Sequence, residues 1–294
     1  MWFRRPLFAL ALVSLAPPAL AEDIYNPKDP EPTAEETLLL EYVNRLRADP
    51  QGEVKRVRDN PGNHGQGRFI DWDLFQREME DVQALPPLVM NLKLLLAARR
   101  HAYYLAVNDK RGHVEEDELT GFTGIKMPQR ITEAGYTWSS WYENVYVARE
   151  PWSVHAGFVI DFDKKTPSGM KDGRGHRVNM LRPELREAGT GSYHRESDYM
   201  YVEGFANRKD ATRLVGGVIY DDKDGDKFYS VGEGQGGVTI TSSDGTSSRS
   251  WKSGSWALEL KTQDAVTLTF KKGGKTKTVK VEAGRQNVKV DWVL

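Results

Sequence analysis

The apolar residues of this chain change their spacing near Asn207, from helical intervals before it to strict alternation after it. One period cannot serve both a helix face and a strand face, so the chain reads as two units of different class. In the first, Thr33 and Glu36 form a capping-box pattern, and Leu38, Leu39, Tyr42, Val43 and Leu46 follow at helical spacing until Asp49-Pro50 stops the run. A second helix is expected over Asn91–Asp109, where Ala97, Ala98, Ala102 and Ala106 allow close packing, and a third over Trp152–Phe162. Val178–Leu181 opens a further segment, and Tyr199–Phe205 reads as a strand. Residues 51–85 are polar and read as an insertion, with a helical hint over Trp72–Val82. From Leu214 on, Val266, Leu268 and Phe270 alternate before Gly273-Gly274, and Val279 and Val281 after it, which predicts a β-hairpin. Val288, Val290, Trp292 and Leu294 predict a last half-buried strand. The boundary falls between Asn207 and Leu214, dividing the chain into 33–208 and an all-β unit of sandwich type at 209–294.

The first 21 residues carry Arg4 and Arg5, an apolar core over 7–16 and Ala19-Leu20-Ala21, the pattern of a secretory signal peptide cleaved after Ala21. The expected mature chain has 273 residues and a net charge of −3, beginning with an acidic, proline-bearing linker at 22–32. A secreted or periplasmic location follows, with no integral membrane segment after cleavage. No sorting signal or lipobox cysteine is present, so any association with the cell envelope is expected to be non-covalent. The absence of cysteine excludes a disulfide scaffold, a thiolate zinc site, an iron–sulfur cluster and a cysteine nucleophile. A net charge of −1 over the whole chain offers no global basic field for nucleic acid.

Two stretches carry chemistry. From Asp222 to Glu233, oxygen side chains fall at positions 1, 3, 5, 9 and 12: Asp222, Asp224, Asp226, Ser230 and Glu233, with the Phe228 carbonyl at 7. That is the ligand spacing of a calcium loop, because alternate residues point inward around a hard cation. Gly225 stands at position 4, Lys227 at position 6, and the flanks read as strands, so the loop is EF-hand-like on a β scaffold. With Gly217–Asp221 before it and Gly236–Ile240 after it, the segment resembles the B-type prealbumin-like repeats of bacterial surface adhesins. The resemblance implies a calcium-stiffened spacer.

In the first unit, His113, Glu143 and His176 come from three separate segments and suit either a zinc-type ion with an open position or, without metal, a general base at Glu143. His101 reads as a packed or half-exposed helix residue, with no carboxylate one turn away. His155 and His194 read as solvent-facing, and His64 in its glycine-rich loop has no assigned role. Arg130 reads as pairing with a local carboxylate or carbonyl, and Asn144 as satisfying backbone groups around Glu143. Trp138 and Trp141 beside Glu143 offer walls for an apolar groove.

The order of LLLEYVNRLRADP, LLLAARRHAYYLA, the loop His113, RITEAGY, YENV, GHRVNML and EAGTG resembles the CAP superfamily in its bacterial SCP-domain form, over about Thr33 to Arg208. That family includes cysteine-rich secretory proteins, antigen 5 and plant pathogenesis-related proteins. The resemblance implies an α/β fold, a three-layer α-β-α sandwich with a central antiparallel sheet. It also implies a cavity tetrad of two histidines and two acids: His113, Glu143, His176 and, for the fourth, Asp161 in the IDFD run, where a shorter carboxylate reaches less far. Two roles stay open. One is binding of a lipid, sterol or glycan in the cavity, with the β-unit as spacer; the other is a metal-dependent peptidase or esterase in which His113, Glu143 and His176 activate water. The absence of a GxSxG motif and of an evident partner for Ser139-Ser140 tilts the reading toward binding.

Overall fold

The computed structural model describes residues 30–62 and 69–294. The expected signal peptide, most of the linker and His64 lie outside the described residues. Helix α1 (Ala34–Ala48) begins on the expected box: Thr33 Oγ1 accepts from the Glu36 amide at 3.2 Å, and the Thr33 amide donates to Glu36 Oε2 at 2.8 Å. Pro50 does end α1, but it also sits at the first position of a second helix, α2 (Pro50–Asp59), capped by Asp49. A missing N–H costs nothing there. The stretch read as an insertion therefore holds α2 and α3 (Trp72–Glu80). The chain continues through β1 (Val89–Met90), α4 (Leu92–Val107), α5 (Met127–Glu133), β2 (Ser140–Ala148), α6 (Pro151–Ile160), α7 (Gly175–Met180), β3 (Glu187–His194) and β4 (Tyr199–Asn207).

These strands form one sheet in the order β1-β3-β4-β2, antiparallel except for the parallel β1–β3 pair. Alternation along β4 assigns its residues to two faces. Tyr201 and Phe205 join Leu39, Val43 and Phe158 of α1 and α6, while Met200 and Val202 join Ala98, Ala102 and Leu105 of α4. Helices thus cover both faces. On the α4 side the approach is close: a Cβ on Gly189 would stand 2.1 Å from the Leu95 nitrogen, and one on Gly191 2.3 Å from the Arg99 nitrogen. Only glycine admits that spacing.

After Asn207 the described residues contain no further helix. Strands β5 (Arg213–Tyr220), β6 (Thr239–Ser242), β7 (Ser247–Arg249), β8 (Ser255–Leu260), β9 (Val266–Lys272), β10 (Lys275–Val281), β11 (Val288–Lys289) and β12 (Trp292–Val293) follow. They make a sheet β10-β9-β6-β7 and a second around β5, which pairs with β8, β11 and β12. Trp256 and Phe270 meet edge to face at 5.3 Å in the core between them. The hairpin turns on Gly273 and Gly274, both at positive φ, with Lys272 opposite Lys275. The last strand, read as continuous over 288–294, is broken instead. Asp291 Oδ1 accepts from the Val218 amide at 2.9 Å, and β11 and β12 pair with β5 on either side of that bond.

The two parts meet along α1. Leu38 packs with Val218, Tyr220 and Tyr229, Phe228 stacks on Tyr42 at 5.5 Å, and Lys289 Nζ lies 2.7 Å from Glu41.

Candidate functional site

Glu143 and Asn144 are neighbours on edge strand β2, so the pleat sends their side chains to opposite faces. Toward α5, Glu143 accepts from Arg130 Nη2 on both oxygens, at 2.8 and 2.6 Å, and its Oε1 lies 3.0 Å from His113 Nδ1. Arg130 is itself buried, and its Nη1 donates to the carbonyls of His113 and Gly124. Burial pushes the Glu143 carboxyl up. The charges of His101 and Arg130 and the hydrogen bonds from His113 and Arg130 outweigh it and bring it down to about 2. Beside this pair lies a cavity of about 350 Å³, lined by His113, Val114, Met127, Trp141 and Asn179 among others.

The second histidine has its own acid. Asp161 ends α6 at φ 54°, a left-handed conformation that costs a non-glycine residue about 1 kcal/mol or more. Its Oδ1 lies 2.7 Å from His176 Nδ1 and its Oδ2 accepts from the His176 amide at 3.0 Å. That arrangement fixes the ring and leaves Nε2 open. Asn179, one turn along α7 from His176, donates to the Glu143 carbonyl at 3.3 Å and to Asn144 Oδ1 at 3.0 Å. Asn144 in turn donates to the His176 carbonyl and to Glu203 Oε2. Glu203 is wholly buried, its other oxygen has no partner, and burial raises its carboxyl to about 8. The structure therefore pairs His113 with Glu143 and His176 with Asp161, and links the pairs through Asn144 and Asn179.

In the acidic loop, Asp222, Asp224 and Asp226 are the one group of three among the described residues whose ligating atoms all lie within 4.8 Å of one another. Glu233, at the twelfth position, is buried, and its two oxygens accept from the Lys223 and Ser230 amides at 2.8 and 2.7 Å. It braces the loop from within. Of the two remaining expected ligands, Phe228 has its ring on Tyr42 and its amide donates to Asp226 Oδ1 at 2.7 Å, while the Ser230 amide is bonded to Glu233.

No protein-family model matches the chain, and no curated protein matches it. Among solved structures, it is similar to an extracellular protein containing an SCP domain from Bacillus anthracis, at 18% identity and a TM-score of 0.33 over 48% of this chain and 39% of that one. It thus spans about two fifths of the Bacillus chain. An outer surface protein of Borrelia burgdorferi gives 18% identity and a TM-score of 0.34 over 47% of this chain and 91% of that one. Venom allergen-like protein 4 of Schistosoma mansoni gives 13% and 0.30 over 56% and 87%.

Three members of the site were not singled out for it in the sequence. His101, read as an ordinary helix residue, is fully buried: Nδ1 lies 2.8 Å from Glu115 Oε1, Nε2 3.1 Å from the Gly112 carbonyl and 3.7 Å from Glu143. Its acid arrives from a loop 14 residues on rather than from its own helix. Glu115 is buried and also accepts from the Thr123 amide at 2.7 Å. Arg130 does pair with local carbonyls, as read, but its carboxylate is Glu143 itself. His155, read as solvent-facing, is fully buried, with Nε2 2.9 Å from Glu53 Oε1. His194 is exposed.

Proposed function

We propose that this chain is an exported CAP-type module that binds a lipid, sterol or glycan in the cavity beside His113 and does not use that site for hydrolysis. The observation that carries the reading is the state of Glu143. Both its oxygens are held by Arg130, and its carboxyl is kept near 2. A general base works best with a pKa near the operating pH, so this carboxylate serves as an ionised anchor for His113 and not as a proton acceptor. Val114, Met127 and Trp141 supply the apolar wall that a ligand body needs. The order of sequence motifs supports the family assignment, and the pattern of residues 1–21 supports export.

The β-rich part is proposed to act as a spacer stiffened by Ca²⁺, held by Asp222, Asp224 and Asp226 with the Phe228 carbonyl and Ser230. Glu233 closes the loop around them. The alternative, a metal-dependent hydrolase, is favoured by one observation: Asp161 orients His176 as a carboxylate orients a metal-bound imidazole. At Glu143 a dication would have to compete with the Arg130 guanidinium. Solvent extraction and mass spectrometry of the purified full chain test the two. Binding predicts a co-purifying ligand that Val114→Asp removes. Zinc-dependent turnover of a peptide or ester that disappears in a folded Glu143→Gln variant would overturn it.

A further inference from the structure

A groove of about 670 Å³ runs between α3 and α7, apart from the cavity beside His113. Met79 and Val82 form one wall, from the stretch read as an insertion, and Val178 and Leu181 form the other. Helix α7 therefore serves two sites. His176 and Asn179 turn to Asp161 and Glu143, while Val178 stands 43% exposed on the groove side.

Three guanidiniums line the same groove against the carboxylates of Glu78 and Asp172. Glu78 is shared: it accepts from Arg174 Nε and Nη2 at 2.9 and 2.8 Å and from Arg177 Nη1 at 3.0 Å. Arg182 is in another situation. Its guanidinium lies 3.8 Å from the centroid of the Tyr142 ring, its buried Nε has no acceptor, and it forms an ion pair with Glu184 at 3.6 Å, outside hydrogen-bond distance. The side chain is about one-third exposed, at 34%. A guanidinium held over a ring, whose outer Nη groups make no hydrogen bond among the described residues and whose paired carboxylate stands at 3.6 Å, is prepared for an oxyanion, because those N–H groups match carboxylate and phosphate oxygens and little side-chain freedom is left to lose.

We propose that the groove between α3 and α7 binds an aliphatic oxyanion, with its head on Arg182 and its tail along Val82, Val178 and Leu181. The aliphatic walls select the tail and the guanidinium surplus selects the head. A cationic amphiphile of the same length meets like charge, and a neutral alcohol gains only the burial of its tail.

Isothermal titration calorimetry on the full chain tests this with octanoate, octyl phosphate, 1-octanol and octyltrimethylammonium. Octanoate or octyl phosphate binds, and the tighter of the two identifies the head group. Octanol binds at least tenfold more weakly, and the cation does not bind. Arg182→Gln weakens the oxyanions at least tenfold and leaves octanol unchanged, and Val178→Asp removes all binding. Both side chains reach solvent, so a thermal melt checks that these variants keep the fold. The proposal is overturned if neither oxyanion binds, or if octanol matches octanoate. It also fails if Val114→Asp, in the other cavity, removes binding while Val178→Asp does not.

Discussion

Arg130 and Glu143 are a buried ion pair in which one guanidinium nitrogen holds both carboxylate oxygens, and removing one partner leaves the other charge without compensation. Arg130→Met is expected to cost about 3–5 kcal/mol in urea unfolding, and Glu143→Gln added to it to restore part of the loss. Glu143 and Glu53 share an acid response, for both are held at about 2 against an ordinary 4.5. For Glu53, burial is outweighed by hydrogen bonds from His155 and Arg45. A folded pKa below the unfolded one gives stability that is present above pH 4.5 and lost as pH falls through 2, so acid titration followed by circular dichroism should show the protein weakening in that window. Glu203 has the opposite sign. Its carboxyl is raised from 4.5 to about 8, so its contribution is whole below pH 4.5 and declines as pH rises to 8. Glu203→Gln should flatten the melting temperature across that range, and a profile as steep as the parent's would show that burial is not the cause. At this scale the sequence was legible where a side chain's partners lie nearby. Arg130 meets the carbonyls expected of it, whereas His101 and His155 take their acids from Glu115 and Glu53, which no local spacing announces.

Among the elements, α4 and β3 depend on the absence of two side chains. Gly191→Ala drives a methyl into the Arg99 amide and the Ala98 carbonyl carbon, 2.3 and 2.5 Å away. Backbone cannot yield as a flexible side chain does, so a loss of about 3 kcal/mol in chemical denaturation is expected, with Ser192→Ala on the same strand near neutral. Helix starts were readable because capping is a local bond, as the Thr33–Glu36 pair demonstrates. Pro50 misled because the residue that stops one helix also fits the first turn of the next. The division of 288–294 into two short strands was hidden for another reason: alternation continues through it, and the break is made by Asp291 binding a strand more than 70 residues away.

Over the whole molecule, the acidic loop and α1 are mechanically joined. Phe228 stacks on Tyr42, the Arg45 guanidinium lies 4.4 Å from the Phe228 centroid, and Arg45 holds Glu53 through two 2.8 Å bonds. If Ca²⁺ occupies the loop, its removal by a chelator should lower the melting temperature of both parts together in one calorimetric transition. Phe228→Ala should split that response, leaving the first part insensitive to the chelator. The same seam bears on how the chain is divided. Although the periodicity changes near Asn207, Leu38 on α1 is buried only 8% short of completely, among Val218, Tyr220 and Tyr229 from beyond that point. A protein cut at Arg208 would present this oily strip to water and stick to other copies of itself, so the first two hundred residues cannot be expected to live alone.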